Sequence, residues 1–163
     1  MSEWRTAAAS AADTEAIGAA LAAALPVTEG GPLVAYLSGD LGAGKTTLAR
    51  GFLRGRGVLD PVRSPTFTLL ECYPVKGLVV VHADLYRLRE PSELETLGLR
   101  DLALPRHLWL IEWPERGAGH LPPPDLQIDL RVATASHPIE ISSRSTLGAA
   151  WLAGTVELLR RST

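Results

Sequence analysis

Asparagine is absent from this chain, and Gln127 is its only glutamine. The single cysteine, Cys72, excludes an intramolecular disulfide and any zinc site built on several thiolates. It fits a reducing compartment. Neither charge sign dominates: sixteen Lys and Arg stand against eighteen Asp and Glu, a formal net charge of −2. No global basic field for nucleic acid is therefore expected. Long apolar runs are missing as well. The most apolar N-terminal stretch, Ala7 to Leu25, is mostly alanine and is interrupted by Asp13 and Glu15. That argues against a membrane span and against a signal peptide. The expectation is a cytoplasmic protein with no membrane association.

What is present is ordinary globular material. The chain has 163 residues, 46% hydrophobic and 21% charged, which is enough for one domain over residues 1–163 with a real core. All basic residues except Lys45 and Lys76 are arginine, a skew of the kind that genome base composition produces. Residues 10–24 read as a helix: Ser10 and Asp13 form a capping pair, and Ile17, Leu21 and Leu25 recur on one face. Leu33 to Ser38 is a short apolar run suited to a buried parallel strand. A helix is expected from Thr46 to about Arg54. Phe67–Tyr73 and Leu78–His82 read as a hairpin, and Ser92 with Glu95 as the cap of a short helix ended by Gly98. Leu108–Ile111, Asp125–Val132 and Pro138–Ser142 read as strands. Leu147 to Arg161 reads as a closing helix with Leu147, Trp151 and Leu158 on one face. Alternating strands and helices predict an α/β fold with a mostly parallel central sheet, an antiparallel hairpin portion and helices on both faces.

The strongest chemical signal is Gly39-Asp-Leu-Gly-Ala-Gly-Lys45-Thr46, a full match to G-x-x-x-x-G-K-[ST] between a strand and a helix. In such a P-loop, backbone N–H groups curl round phosphate oxygens, and the helix N-terminus adds partial positive charge. The nucleotide-binding candidates are Asp40, Leu41, Gly42, Ala43, Gly44, Lys45, Thr46 and Thr47. Lys45 reaches the distal phosphates, and the Thr46 hydroxyl is a hard ligand for Mg²⁺. A neighbouring strand must then end in an acid that holds the Mg²⁺ shell. Glu112 directly follows an apolar strand, and Asp84 lies two residues beyond another. Glu112 is the preferred metal residue, which leaves Asp84 to orient or deprotonate an attacking water or hydroxyl.

Ser64-Pro65-Thr66 is either a switch-like loop that senses phosphate and Mg²⁺ or an ordinary turn. Trp113 either stacks near the nucleotide or closes the core. His82 reads as a hydrogen-bonded core histidine, and the four histidines show no metal-ligand spacing. Arg50, Arg54, Arg56 and Arg63 form a solvated face, or else a contact for an acidic partner or RNA phosphate. The candidate catalytic residues are Asp84, Lys45 and Thr66.

A guanine-reading Asn-Lys-x-Asp motif is impossible without asparagine, and no switch glutamine is available. A GTPase is therefore not expected. A small-molecule kinase, with Asp84 accepting a hydroxyl proton and Arg87 and Arg89 binding an anion, fits the length. A binding-only ATP sensor and an ATPase that drives a partner fit as well.

Four fragments in order carry a family resemblance: Gly39-Asp-Leu-Gly-Ala-Gly-Lys-Thr-Thr-Leu-Ala-Arg-Gly-Phe52, Ser64-Pro-Thr-Phe-Thr-Leu69, His82-Ala-Asp-Leu-Tyr-Arg87 and Ile111-Glu-Trp-Pro-Glu115. Together they resemble the bacterial TsaE (YjeE) family, the ATPase of tRNA threonylcarbamoyladenosine biosynthesis. The likeness runs from about residue 10 to 132. It implies a single-domain P-loop NTPase that binds ATP with Mg²⁺ and hydrolyses it slowly alone. It further implies two partners, the TsaD and TsaB subunits that transfer threonylcarbamoyl to adenosine 37 of ANN-decoding tRNAs. ATP hydrolysis then resets that complex between turnovers, and tRNA is met only through it. By position, the resemblance gives Lys45 and Thr46 the phosphate and Mg²⁺ roles, Glu112 the Mg²⁺ carboxylate, Ser64 and Thr66 the switch segment, Asp84 the required acid and Trp113 the nucleotide-proximal indole. It places base contacts near Ser10 and Ala11 through the backbone. An alanine-rich first helix and a longer 25–32 turn depart from the family pattern.

Overall fold

The computed structural model describes residues 1–163. Strand β1 (Glu3–Ala8) leads into helix α1 (Ala11–Ala23), then β2 (Leu33–Ser38) and α2 (Lys45–Gly55). The hairpin β3 (Leu70–Val75) and β4 (Leu78–Asp84) follows, then β5 (His107–Glu112), β6 (Leu126–Leu130), β7 (His137–Ser143) and α3 (Thr146–Arg161). The strands form one seven-stranded sheet in the order β1-β7-β6-β2-β5-β4-β3. Its centre is parallel: β2 lies between β6 and β5, and β5 pairs with β4. Its margins are antiparallel, with β3 on one side and β7 and β1 on the other. No helix is long and apolar enough to cross a membrane.

Side-chain alternation splits the core. Leu33, Ala35 and Leu37 of β2 join Leu108 and Leu110 of β5 in one cluster with Ile17, Leu21, Leu48, Phe52 and Trp151 from the three α-helices. Val34 packs on the opposite face with Trp109, Ile111, Leu94 and Leu99. That second face is covered by 3-10 turns, Pro91–Glu95, Leu99–Leu102 and Pro114–Gly117. Helical segments therefore lie on both faces, but all three α-helices lie on one.

Several local expectations shift. β1 was not foreseen, because its short alternation runs into an alanine stretch with strong helix propensity. Pairing with β7, from Glu3 opposite Ser142 to Ala8 opposite His137, makes it a strand. The hairpin begins at Leu70 rather than Phe67, because Leu69 N–H bonds the Pro65 carbonyl at 2.9 Å and Leu69 takes φ 66°, which closes a turn. The 91–95 turn is held by Glu93, whose carboxylate accepts from Glu90 N–H at 2.9 Å, and not by the Ser92–Glu95 pair. The inward stripe of α3 is Gly148, Trp151, Leu152 and Thr155. Leu147, expected on that stripe, is exposed.

Helices α1 and α2 meet backbone to backbone. A Cβ at Gly18 would stand 2.2 Å from the Leu48 carbonyl oxygen, and one at Gly51 would stand 2.2 Å from that of Glu15. The Trp151 indole N–H ties α3 to α1 by donating to the Leu21 carbonyl at 2.9 Å. Gly51→Val is therefore expected to destabilise by about 1–3 kcal/mol, the usual cost of overpacking a tight core. Urea denaturation measures this, and an unchanged midpoint would contradict the backbone contact.

Candidate active site

The P-loop crosses from the end of β2 to α2 under tight steric control. Gly39 has φ 150°, and a Cβ there would stand 2.2 Å from the Leu130 carbonyl oxygen, so no other residue fits without displacing β6. Leu48 N–H bonds the Gly44 carbonyl at 2.9 Å, which starts α2 directly at Lys45. The free N–H groups of the first turn face a cleft of about 280 Å³ at the C-terminal end of the parallel strands. Leu41, Gly42, Gly44, Lys45, Thr46, Thr47, Ser64, Thr66, Asp84, Tyr86, Glu112 and Trp113 line it.

Most of the predicted residues thus converge. Two loop residues do so without lining the cleft. Asp40 turns outward but uses its carbonyl, which accepts from Lys45 Nζ at 2.8 Å. Ala43 packs its methyl in the core, and its carbonyl lies 3.1 Å from His137 Nδ1. Ser10 and Ala11 lie in an adjoining groove with Ala8, Ala9, Thr14 and His137, and that groove shares Gly42, Gly44 and Thr47 with the cleft. Ser10 caps α1 by accepting from Asp13 N–H at 3.2 Å.

Electrostatics organise the floor. Lys45, Asp84 and Glu112 are all buried. Lys45 Nζ donates to the Gly39 and Asp40 carbonyls and sits 4.2 Å from the Trp113 ring centroid. Burial holds its ammonium below the ordinary lysine pKa, while Glu112, Asp84, Glu115 and Asp40 pull it back up. Asp84 and Glu112 are register partners on neighbouring parallel strands. The Thr46 hydroxyl donates to the Glu112 carboxylate, with its oxygen 2.9 and 3.0 Å from the two carboxylate oxygens. Asp84 accepts from the Ser64 hydroxyl and, at 3.0 Å, from Tyr86 N–H. The 64–69 turn is thereby tied to the end of β4, and Asp84 N–H also donates to the Leu69 carbonyl at 2.9 Å.

Trp113 follows Glu112 with φ 58° and ψ 50°, a left-handed conformation costly for an aromatic residue. That turn brings its ring beside Lys45 and 4.9 Å from Tyr86. Arg87 stacks 4.6 Å over the exposed Phe67 ring and does not line the cleft. Arg50 and Arg54 pair with Glu15, at 3.7 and 3.2 Å.

Thr46 and Glu112 are hard oxygen donors, side by side where the Gly39–Thr46 loop meets the end of β5. Nowhere do three His, Cys, Asp or Glu side chains converge on one point. That donor set suits Mg²⁺, which uses one or two protein oxygens and takes the rest from phosphates and water. The residues present therefore fit a Mg²⁺–nucleotide.

The sequence missed Tyr86, His137 and the bond between His82 Nε2 and Glu112, at 2.6 Å. Strand periodicity carried a signal for the last. His82 and Asp84 are two residues apart, so they share a face, and Asp84 faces the cleft.

The Ser64–Asp84 bond is a hydrogen bond to a charged group, a class worth about 1.5–3 kcal/mol. Ser64→Ala should therefore speed amide exchange at Leu69 at least roughly tenfold and leave the β4–β5 amides unchanged. Hydrogen-exchange mass spectrometry reads this. Equal exchange at Leu69 would show that the turn does not depend on Asp84.

Comparison with known proteins agrees with this geometry. A family described as "Threonylcarbamoyl adenosine biosynthesis protein TsaE" matches residues 8–140. A Haemophilus influenzae protein named tRNA threonylcarbamoyladenosine biosynthesis protein TsaE is 46% identical over 116 residues, 71% of this chain and 73% of that one. A Bacillus subtilis protein of the same name is 41% identical over 100 residues, 61% of this chain and 62% of that one. The crystal structure of Bacillus subtilis YdiB is similar with a TM-score of 0.72 and 31% identity, covering 99% of this chain and 96% of that one.

Proposed function

Because the chain belongs to the TsaE family, we propose that it is a Mg²⁺-dependent ATPase of tRNA N6-threonylcarbamoyladenosine synthesis. In this reading it joins the TsaD and TsaB subunits of the transferase in the cytoplasm and hydrolyses ATP to reset them between turnovers. tRNA is met only through that complex. The observation that carries the ATPase part is the convergence of Lys45, Thr46, Asp84 and Glu112 in one cleft against the N-terminus of α2.

Each residue has a physical task. The loop N–H groups and Lys45 bind the phosphates. Lys45 leaves the Gly39 and Asp40 carbonyls to do so, and its cost of burial is offset once anionic oxygens arrive. Thr46 and Glu112 would hold Mg²⁺, which supplies charge neutralisation on the phosphate oxygens. Asp84 is kept at the cleft by Ser64 and Tyr86 N–H, where it can orient a water or accept its proton. Thr66 lines the same wall and senses the terminal phosphate. Trp113 closes the cleft beside Lys45, and the groove at Ser10 and Ala11 takes the base.

Slow turnover of the isolated chain follows from what the cleft contains. Lys45 is the only cationic side chain among its lining residues. A second cation at the transferring phosphoryl group is worth about 10³–10⁵ in rate. Arg87, lying on Phe67, or a residue of the partner complex would provide it on assembly.

The test is multiple-turnover threonylcarbamoylation of tRNA by the TsaD–TsaB complex, with this protein, without it, and with Glu112→Ala. The expected result is that only the intact protein permits repeated cycles, with ATP consumed, while the first cycle proceeds in all three. A protein that leaves turnover unchanged and instead phosphorylates a small hydroxyl compound would be a kinase.

A further inference from the structure

We propose that His82 is a positioning residue: it fixes the Glu112 carboxylate and, through it, the divalent cation that accompanies the nucleotide. The proposal rests on the Mg²⁺–nucleotide reading of the cleft and adds to it a residue that touches neither ligand. His82 lies in β4, is 0% exposed and is absent from the cleft lining. Its Nε2 stands 2.6 Å from Glu112 Oε2, and Glu112 itself is 2% exposed.

The hydrogen-bond inventory assigns the tautomer. An ionised carboxylate only accepts, so the short contact requires the proton on Nε2. The other ring nitrogen, Nδ1, is buried without any partner. Buried polar atoms without partners are few in native proteins, and each carries a desolvation cost. A phenylalanine or leucine would fill this volume without that cost. The histidine is therefore explained by what its other nitrogen does, a charge-assisted bond to Glu112.

Division of labour on the carboxylate makes the bond consequential. Thr46 donates from the cleft side, where the same hydroxyl is wanted by the cation. When that hydroxyl turns to the metal, Glu112 loses its cleft-side donor. His82 donates from inside the sheet face, so its bond does not depend on occupancy of the cleft. It holds Oε2 while the carboxylate serves the cation. Groups that orient a metal-binding carboxylate in this way typically account for about 10–100-fold in metal affinity.

The experiment measures ADP affinity by calorimetry in EDTA and across a Mg²⁺ titration, for wild type, His82→Phe and His82→Gln. Gln carries an amide N–H that reaches the place of Nε2. For His82→Phe the expected result is an affinity in EDTA within about twofold of wild type and a Mg²⁺ half-saturation weakened about 10–100-fold. His82→Gln should recover most of the loss. Nitrogen-15 NMR of the metal-free wild type reads the ring protons without any His82 variant, and the expected form carries a proton at Nε2. A ring without a proton at Nε2 overturns the proposal, as does a His82→Phe protein with the wild-type Mg²⁺ response. Equal losses in the Phe and Gln variants also overturn it, since the donor would then be irrelevant. A wild type whose nucleotide affinity ignores Mg²⁺ overturns the underlying reading and the proposal with it.

Discussion

Burying three ionisable side chains, Lys45, Asp84 and Glu112, at one edge of the sheet is the constraint around which this molecule is organised. Charge taken out of water is costly unless paired and hydrogen-bonded. Here the compensation comes from four chain segments. P-loop carbonyls hold the ammonium, Thr46 and His82 hold Glu112, and Ser64 with the Tyr86 N–H holds Asp84. Each partner sits where it does because the parallel strands β2, β5 and β4 end in register, with Asp84 opposite Glu112 and Leu37 opposite Glu112 on the other side. The site is thus a property of the strand ends together, and no single loop could build it.

The two faces of the sheet serve this edge differently. The α-helix face is a dense core, closed by the backbone contact at Gly18 and Gly51 and by the Trp151 bond to α1. It fixes the direction of α2 and therefore of the first-turn N–H groups at the cleft. The opposite face is covered by short 3-10 turns and by loop residues such as Leu85 and Leu88. Beside the cleft lies the 64–69 turn, which exposes Phe67 and is pinned through the carboxylate and the backbone N–H of Asp84. Rigid and yielding parts therefore meet at Asp84.

Much of this was legible in the sequence because the governing signals were local. The P-loop pattern between an apolar strand and a helix specified its own geometry, and an acid at each strand end could be read from four apolar residues before Glu112. The central strands followed from short apolar runs. What was not legible depended on pairing across the chain. β1 looks like the start of an alanine helix until β7 pairs with it. Leu147 looks inward until Gly148, Leu152 and Thr155 set the helix phase. His82 looked like a core histidine because its meaning lies in Glu112, thirty residues away, and only the β4–β5 register joins them. Tyr86, just past β4, and His137, at the start of β7, reach the site through the sheet order, which no local pattern announces.

The central claim is that the Thr46–Glu112 pair is the cation end of a nucleotide site formed by the Gly39–Thr46 loop. Anomalous diffraction from crystals grown with Mn²⁺ and a non-hydrolysable ATP analogue tests it most directly. One anomalous peak is expected beside Thr46 Oγ1 and Glu112, with the triphosphate inside the loop. A peak elsewhere, or a nucleotide bound with no metal between these two residues, would contradict it.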